Sequence, residues 1–387
     1  MTATHPNDDD TALTSRAPAG PDPAASPYAG TQSVEPASSG SLDGRSGNLP
    51  NGANHGANPG AASWAPGSDQ PGPDCAPLAG AGWQAPSKLV VFGDLLSDNG
   101  NAAAVQKALG NTPNYLSPPY SPNGDFSDGP KWTTDLARSL GLGQSSEQQN
   151  FAYEGATGGS LGDAYSPVNP AGGLSPLDTF AGQVQQFQQQ GGAFSSSDVV
   201  SVTFGGNDIF LASSEQLAGV EPAEQVITDS VNAIISGMKQ LGDLGAKHFL
   251  VSNSPDVTLA PIFKSAEFLA SGATVAGVQS LVDDFNTQLA SGLSAFQSQT
   301  GLDVKTLDLH TLFDNIAADP SAYGFTNVTQ PVLSSIPGAT PAPVYNTAVD
   351  AQNPKVEQGS LFMDPLFDTT ERGQMLIAQA ARNTLAA

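Results

Sequence analysis

Five residues in this chain carry groups that can move protons or stabilise charge, and each stands just after a run of apolar residues. Asp94 follows "KLVVFG", Glu154 follows "NFAY", Asn207 and Asp208 follow "VVSVTFGG", and Asp364 follows "SLFM". In α/β proteins ligands bind beyond the carboxyl ends of parallel strands, so residues in these positions converge on one edge of a sheet. A strand that ends in a tight turn is also where such enzymes present a nucleophile. Here the turn after "VVFGD" presents Leu95 and Leu96, which have no nucleophilic atom.

The carboxylates admit two readings. Glu154 and Asp364 could form the acid–base pair of a glycosidase, but the spacing does not fix their separation. The simpler expectation is a solvated Glu154 and a capping Asp364. Ser97 lies two positions past Leu95 and reads as a turn or cap residue whose hydroxyl bonds the turn backbone. Of the histidines, His310 follows the strand-like "KTLDL" and so falls on the correct side of a sheet, at the surface or at the start of a helix. Both are low-ranking substitutes for a nucleophile and a base. No His, Asp or Glu grouping has metal-ligand spacing, so no metal or other cofactor is expected. "EGATGG" and "FGGND" match neither a P-loop nor a dinucleotide fingerprint. Phe126, Trp132, Phe204 and Phe210 could line a cleft but read more simply as core.

Strands must hold these residues and helices must cover the strands. Val226, Ile227, Val231, Ile234, Ile235, Met238 and Leu241 follow the helical period between Pro222 and Gly242. Val275, Val278, Val282, Phe285, Leu289, Leu293 and Phe296 mark another amphipathic helix. Further helices are predicted near Asn101–Leu109, Lys131–Leu140, Phe180–Gln190 and Thr369–Leu385. Strands are predicted at 88–92, 150–156, 198–204, 247–253 and 302–309, with a short edge element at 360–365. Alternating strands and helices imply an α/β fold with a mainly parallel sheet and right-handed crossovers.

Five stretches, in order, resemble the GDSL or SGNH hydrolases, a family of lipases and esterases. "VVFGDLLSDNGN" resembles the first block, usually Phe-Gly-Asp-Ser-Leu-Ser-Asp, and "DFSDGPKW" a companion loop of the lipase branch. "NFAYEGATGG", "FGGNDIF" and "DPLFDTTERGQMLIA" resemble the second, third and last blocks, and "DPSAYGFTNV" is again similar to the lipase branch. The resemblance implies a three-layer α/β/α sandwich over residues 87–387. It also implies a mechanism in which a serine attacks an ester carbonyl, a histidine takes its proton and an aspartate orients the histidine. A glycine N–H and an asparagine amide stabilise the oxyanion.

Carried over residue by residue, the resemblance keeps the helpers and loses the actors. Asp364 matches the orienting aspartate, Asn207 and Gly155 the oxyanion donors. The nucleophile position is Leu95, the base position is Phe367, and Glu154 replaces a glycine of the second block. The family's His-Pro-Thr has become Phe367-Asp368-Thr369. The expectation is a lipase-like pseudoenzyme that binds an apolar or acyl ligand or a protein partner, with Leu95 as a core-like plug. The alternative is an active ester hydrolase, lipase or acyltransferase using a non-standard nucleophile or base, for instance a chemistry built on Glu154, Asn207 and Asp364.

Composition bounds the rest. The chain has 387 residues, with 37 acidic and 13 basic side chains and a formal charge of −24. That charge, with no Lys/Arg cluster to offset it, disfavours nucleic acid and anionic membrane partners. Residues 1–86 are dominated by Gly, Pro, Ala, Ser, Asn and Asp and read as a disordered arm ahead of the 87–387 domain. The arm holds the only cysteine, Cys75, so no disulfide framework is expected. Its start lacks the basic and apolar regions of a secretory signal, and no apolar run reaches the ~20 residues of a membrane span. The sequence leaves the location open between the cytoplasm and export by a non-classical route such as type III secretion, whose signals share this polar, Ser/Pro-rich composition with ordinary linkers.

Overall fold

The computed structural model describes residues 85–143, 147–159, 178–218, 222–337, 342–349 and 359–387. All but the last two residues of the expected arm lie outside that set. Five strands, β1 (Leu89–Gly93), β2 (Gln148–Asn150), β3 (Val199–Thr203), β4 (His248–Ser252) and β5 (Asp303–Leu307), form one sheet. The order is β2-β1-β3-β4-β5 and every pairing is parallel. β1 and β3 are buried along their whole length, which is why their sequences are unbroken apolar or small runs rather than alternating ones.

Adjacent residues of β1 point to opposite faces, and the two faces recruit different helices. Leu89 and Val91 join a core with Trp132 and Leu136 of α2 (Trp132–Ser139), Phe313 of α8 (Leu309–Ala318) and Ile377 of α9 (Glu371–Ala386). Phe92 instead stacks on Phe151 and meets Phe180 and Phe187 of α3 (Phe180–Gln189) edge-on. On the same side Phe249 of β4 meets Phe296 of α7 (Val275–Thr300). α5 (Ala223–Asp243) packs against α3 and α7, and α4 (Gly206–Ala218) against α5 and α7. The result is helices, sheet, helices: three layers with a core on each face. Among the described residues the further α-helices are α1 (Asn101–Ala108) and the short α6 (Ala266–Ala270).

Two expected strands differ. The strand placed at 150–156 is β2, and it ends at Asn150. Phe151 and Tyr153 still donate N–H groups to Val91 and Gly93 of β1. However, the Asn101 side chain takes up the carbonyls of Asn150 and Ala152, and Asn150 Oδ1 accepts the Ala152 N–H. Side chains thus satisfy the groups a ladder would need. The element placed at 360–365 stays outside the sheet: its bridges are Asn327 with Ser360 and Phe362 with Thr369. Val332 and Leu333 donate to its carbonyls of Phe362 and Met363, so its backbone is paired locally.

The end of β1 is clamped where the site begins. Gln183 of α3 accepts the Gly93 N–H (2.9 Å) and donates to the Gly93 carbonyl (2.8 Å). A Cβ on Gly93 would lie 2.9 Å from the Thr203 carbonyl oxygen, so only glycine lets β1 and β3 approach this closely.

Candidate active site

The turn after β1 is held by its own backbone and by Asp94. Ser97 and Asp98 donate N–H groups to the Asp94 carbonyl, and Leu96 donates to Asp94 Oδ1 at 3.1 Å. Leu95, at the expected nucleophile position, is half-buried. The residue that enters the core is Leu96, 5% exposed, so the plug expected of Leu95 belongs to its neighbour. Ser97 is fully buried, and its Oγ accepts from Trp132 Nε1 at 3.2 Å. That replaces the expected bond to the turn backbone: the indole of α2, pointed at the turn, is the nearer donor. Ser97 therefore tethers the companion loop to the β1 turn.

Asp98 organises the next layer. Its Oδ1 accepts the N–H groups of Gly100 and Asn101, its Oδ2 those of Ala102 and Glu154. One buried carboxylate thus caps α1 and fixes the second block. Asp208 does the same from the other side: it accepts the N–H groups of Gly158 and Gly159. Between these two anchors Gly155 has φ 76°, a backbone conformation that favours glycine. Asn207 Nδ2 donates to the Ala156 carbonyl at 3.0 Å, and an amide nitrogen carries two N–H groups. Glu154 is 4% exposed. The expected solvated glutamate is thus buried, because its backbone is pulled inward by Asp98.

The last block closes the arrangement. Asp364 is fully buried; its Oδ2 accepts the Tyr120 hydroxyl at 2.8 Å and its Oδ1 the Leu366 N–H at 2.9 Å. Its third neighbour is Asp368, whose carboxyl lies close enough for each group to shift the titration of the other. Asp368 in turn lies 3.9 Å from Lys131 Nζ, and both side chains are inaccessible to solvent. The Phe367 ring packs on Phe313 at 4.8 Å and on Phe362 at 5.5 Å, as part of the α2/α8/α9 core. Asp364 thus faces the carboxyl of Asp368, with the Tyr120 hydroxyl and the Leu366 N–H as its donors.

Burial sets the electrostatics. It raises Asp94 to about 7, helped by the nearby Asp208 and opposed by the Leu96 N–H and by Lys131. Burial raises Asp364 to about 6, opposed by the neighbouring Asp368 and the Tyr120 hydroxyl. It pushes Asp368 well above the usual carboxylate range, reinforced by the nearby Asp364 and Glu154. Tyr120 is driven well above its ordinary value by burial and by the two aspartates, and it remains a donor. Burial also lowers Lys131, while Asp368, Asp125, Asp98 and Asp364 pull it back up.

These shifts make the fold sensitive to pH. Between about pH 4 and 7 the folded chain binds more protons at Asp94 and Asp364 than the unfolded chain does, so stability falls as pH rises. The melting temperature is expected to be higher at pH 5 than at pH 8 by roughly 5 °C or more. Asp94→Asn should flatten part of that slope. A natural chain that melts at the same or a higher temperature at pH 8 would contradict this account.

The two substitutes sit elsewhere or are spoken for. Ser97 is held by Trp132. His310 occupies the first turn of α8, where its N–H donates to Asn253 Oδ1 and its Nε2 lies 3.5 Å from Asp314. Phe126, Trp132 and Phe204 are buried. Among the described residues no three His, Cys, Asp or Glu side chains gather as a metal site, and no helix is long and apolar enough to cross a membrane. The residues around Asp364 that sequence reasoning missed are Tyr120, Lys131 and Asp368. The one available signal was Asp368 itself, a carboxylate where the resembled motif has proline.

The model of the GDSL-like lipase/acylhydrolase family matches residues 89–357, and the chain belongs to that family. It is similar to the thermolabile hemolysin of Vibrio parahaemolyticus, 27% identical over 249 residues, covering 64% of this chain and 51% of that protein. It is also similar to a GDSL esterase/lipase of Arabidopsis thaliana, 29% identical over 191 residues, covering 46% and 52% respectively. The chain thus spans about half the length of these curated relatives. Among solved structures, it aligns with phospholipase A1 from Streptomyces albidoflavus at TM-score 0.36 and 15% identity, over 70% of this chain and all of that one. A G-D-S-L family lipolytic protein from Veillonella parvula gives 0.34 and 12%, over 76% and 96%.

Proposed function

We propose that this chain is a GDSL lipase/acylhydrolase-type domain that no longer hydrolyses esters by the family's route and instead binds an acyl or other apolar ligand. One observation carries the reading. The two positions that should transfer protons hold Leu95 and Phe367, and the Phe367 ring is packed with Phe313 and Phe362. Losing either the serine or the histidine of a coupled triad removes about as much rate as losing the whole triad, which leaves roughly 10³–10⁴-fold over water. Even that remainder needs an open oxyanion site, and Glu154 places a buried carboxyl beside it. The curated relatives are named as a hemolysin and an esterase/lipase. An acyl-bearing ligand is the class those names support for a retained scaffold, and a protein partner at the same edge is the other occupant.

The test is hydrolysis of short- and long-chain p-nitrophenyl esters by the purified natural chain, paired with binding of a fluorescent fatty acid. The expected result is no turnover above background together with saturable binding. Turnover that persists through further purification and falls with Asp94→Asn would overturn the reading. It would favour hydrolysis by a non-standard base, since Asp94 titrates near neutrality beside the nucleophile position.

A further inference from the structure

Lys131 is a lysine without water and without a hydrogen bond. Its side chain is fully buried, no acceptor lies within bonding range of Nζ, and neither oxygen of Asp368 receives an N–H from the rest of the protein. The nearest groups to Nζ are Asp368 Oδ1 at 3.9 Å and the ring of Phe126, whose centre is 5.9 Å away. A buried ammonium left this way is costly, and an ion pair repays its desolvation only with close geometry and further hydrogen bonds. Those are missing here. What is present is a set of reactants: a buried amine, a buried carboxyl 3.9 Å from it, and the Asp364 carboxyl beside that one.

We propose that Lys131 and Asp368 become joined by an intramolecular isopeptide bond. Nζ, in its neutral form, attacks the side-chain carbonyl carbon of Asp368. Asp364 accepts the proton released from the nitrogen and passes it to the departing hydroxyl, which leaves as water. One N–C bond forms, one C–O bond breaks, and no oxidant, reductant or cofactor is consumed. Low solvent access favours both neutral reactants, and it is what lowers Lys131 and raises Asp368. A shift of Nζ from its 3.9 Å ion-pair distance toward the carboxyl carbon brings the pair to attack distance, about 3–3.5 Å. The product replaces two groups that are awkward to bury by one neutral amide. It also ties the loop before α2 to the segment before α9, closing a loop that contains most of the domain. The proposal does not depend on whether the site hydrolyses esters.

The test is the intact mass of the full chain, measured under denaturing conditions, followed by peptide mapping. The expected mass is one water below that of the sequence. Trypsin should fail to cut after Lys131, and a branched peptide should join Lys131 to Asp368. Lys131→Met and Asp368→Ala should each restore the full mass, and Asp364→Asn should slow bond formation by at least about 10²-fold. The chain with the bond should melt above Asp368→Ala by roughly 10 °C, the scale of a long-loop cross-link. A full sequence mass, with Lys131 recovered in a linear peptide, would overturn the proposal. A water loss mapped to a linear peptide, such as a succinimide at Asp128-Gly129, would overturn it equally. Because the natural chain itself gives the answer, a variant that fails to fold does not block it.

Discussion

Asp98→Ala is expected to destabilise the domain by roughly 3–5 kcal/mol, a large share of what a folded domain has to lose. Its carboxylate accepts four backbone N–H groups, from Gly100, Asn101, Ala102 and Glu154. Alanine leaves all four donors unmatched in a buried place, and each such donor costs about 1–3 kcal/mol unless water enters. The loss is smaller than the sum because burial already penalises the charged form of Asp98, as its raised pKa shows. Asp98→Asn keeps one accepting oxygen and should cost roughly half as much. Urea unfolding of the three proteins checks this. A change below about 1 kcal/mol for alanine would mean that α1 and the second block are not held by this side chain.

That dependence explains which parts of the molecule could be read from sequence. The strands at 198–204 and 247–253 and the long helices announce themselves, because burying an apolar strand or one helix face fixes residue type position by position. β2 did not. Its bounds are set by Asn101 and Asn150 side chains bonding backbone carbonyls and N–H groups, a contact between distant segments with no local periodicity. The site was legible in the same uneven way. Three of its blocks follow β1, β2 and β3, so a reading of strands finds Leu95, Glu154, Gly155 and Asn207, whereas Asp364 follows a segment that lies outside the sheet. The burial of Glu154 and the bond of Ser97 to Trp132 follow from tertiary contacts and could not be read. Lys131 was the hardest. A lysine in a Pro/Gly-rich loop reads as solvent-exposed, and only the fold puts it inside beside Asp368.

The same neighbourhood decides how ester chemistry could be restored. Leu95→Ser with Phe367→His supplies a nucleophile and a base, yet the pair alone is expected to gain little. The carboxylate at the family's orienting position is already engaged: Asp364 accepts from Tyr120 and faces the carboxyl of Asp368. A new imidazole at 367 would compete with Asp368 for it, and a histidine without its aspartate loses both tautomer and orientation, a cost of about 10⁴ in rate in the best-studied triad. Adding Asp368→Pro, the residue of the resembled His-Pro-Thr motif, removes the competing carboxyl and should raise p-nitrophenyl ester turnover by about 10²-fold or more over the double variant. Glu154→Gly should add a further gain, by clearing a carboxyl from beside the oxyanion donors Gly155 and Asn207. The order of the gains is what tests the argument. If the double variant is already as fast as the quadruple one, Asp364 is free to orient a histidine and the neighbouring Asp368 carboxyl does not govern the site. If turnover appears only once position 368 is changed, more than a serine and a histidine separates this chain from the family's route, and the carboxyl and lysine buried behind those positions are part of the difference.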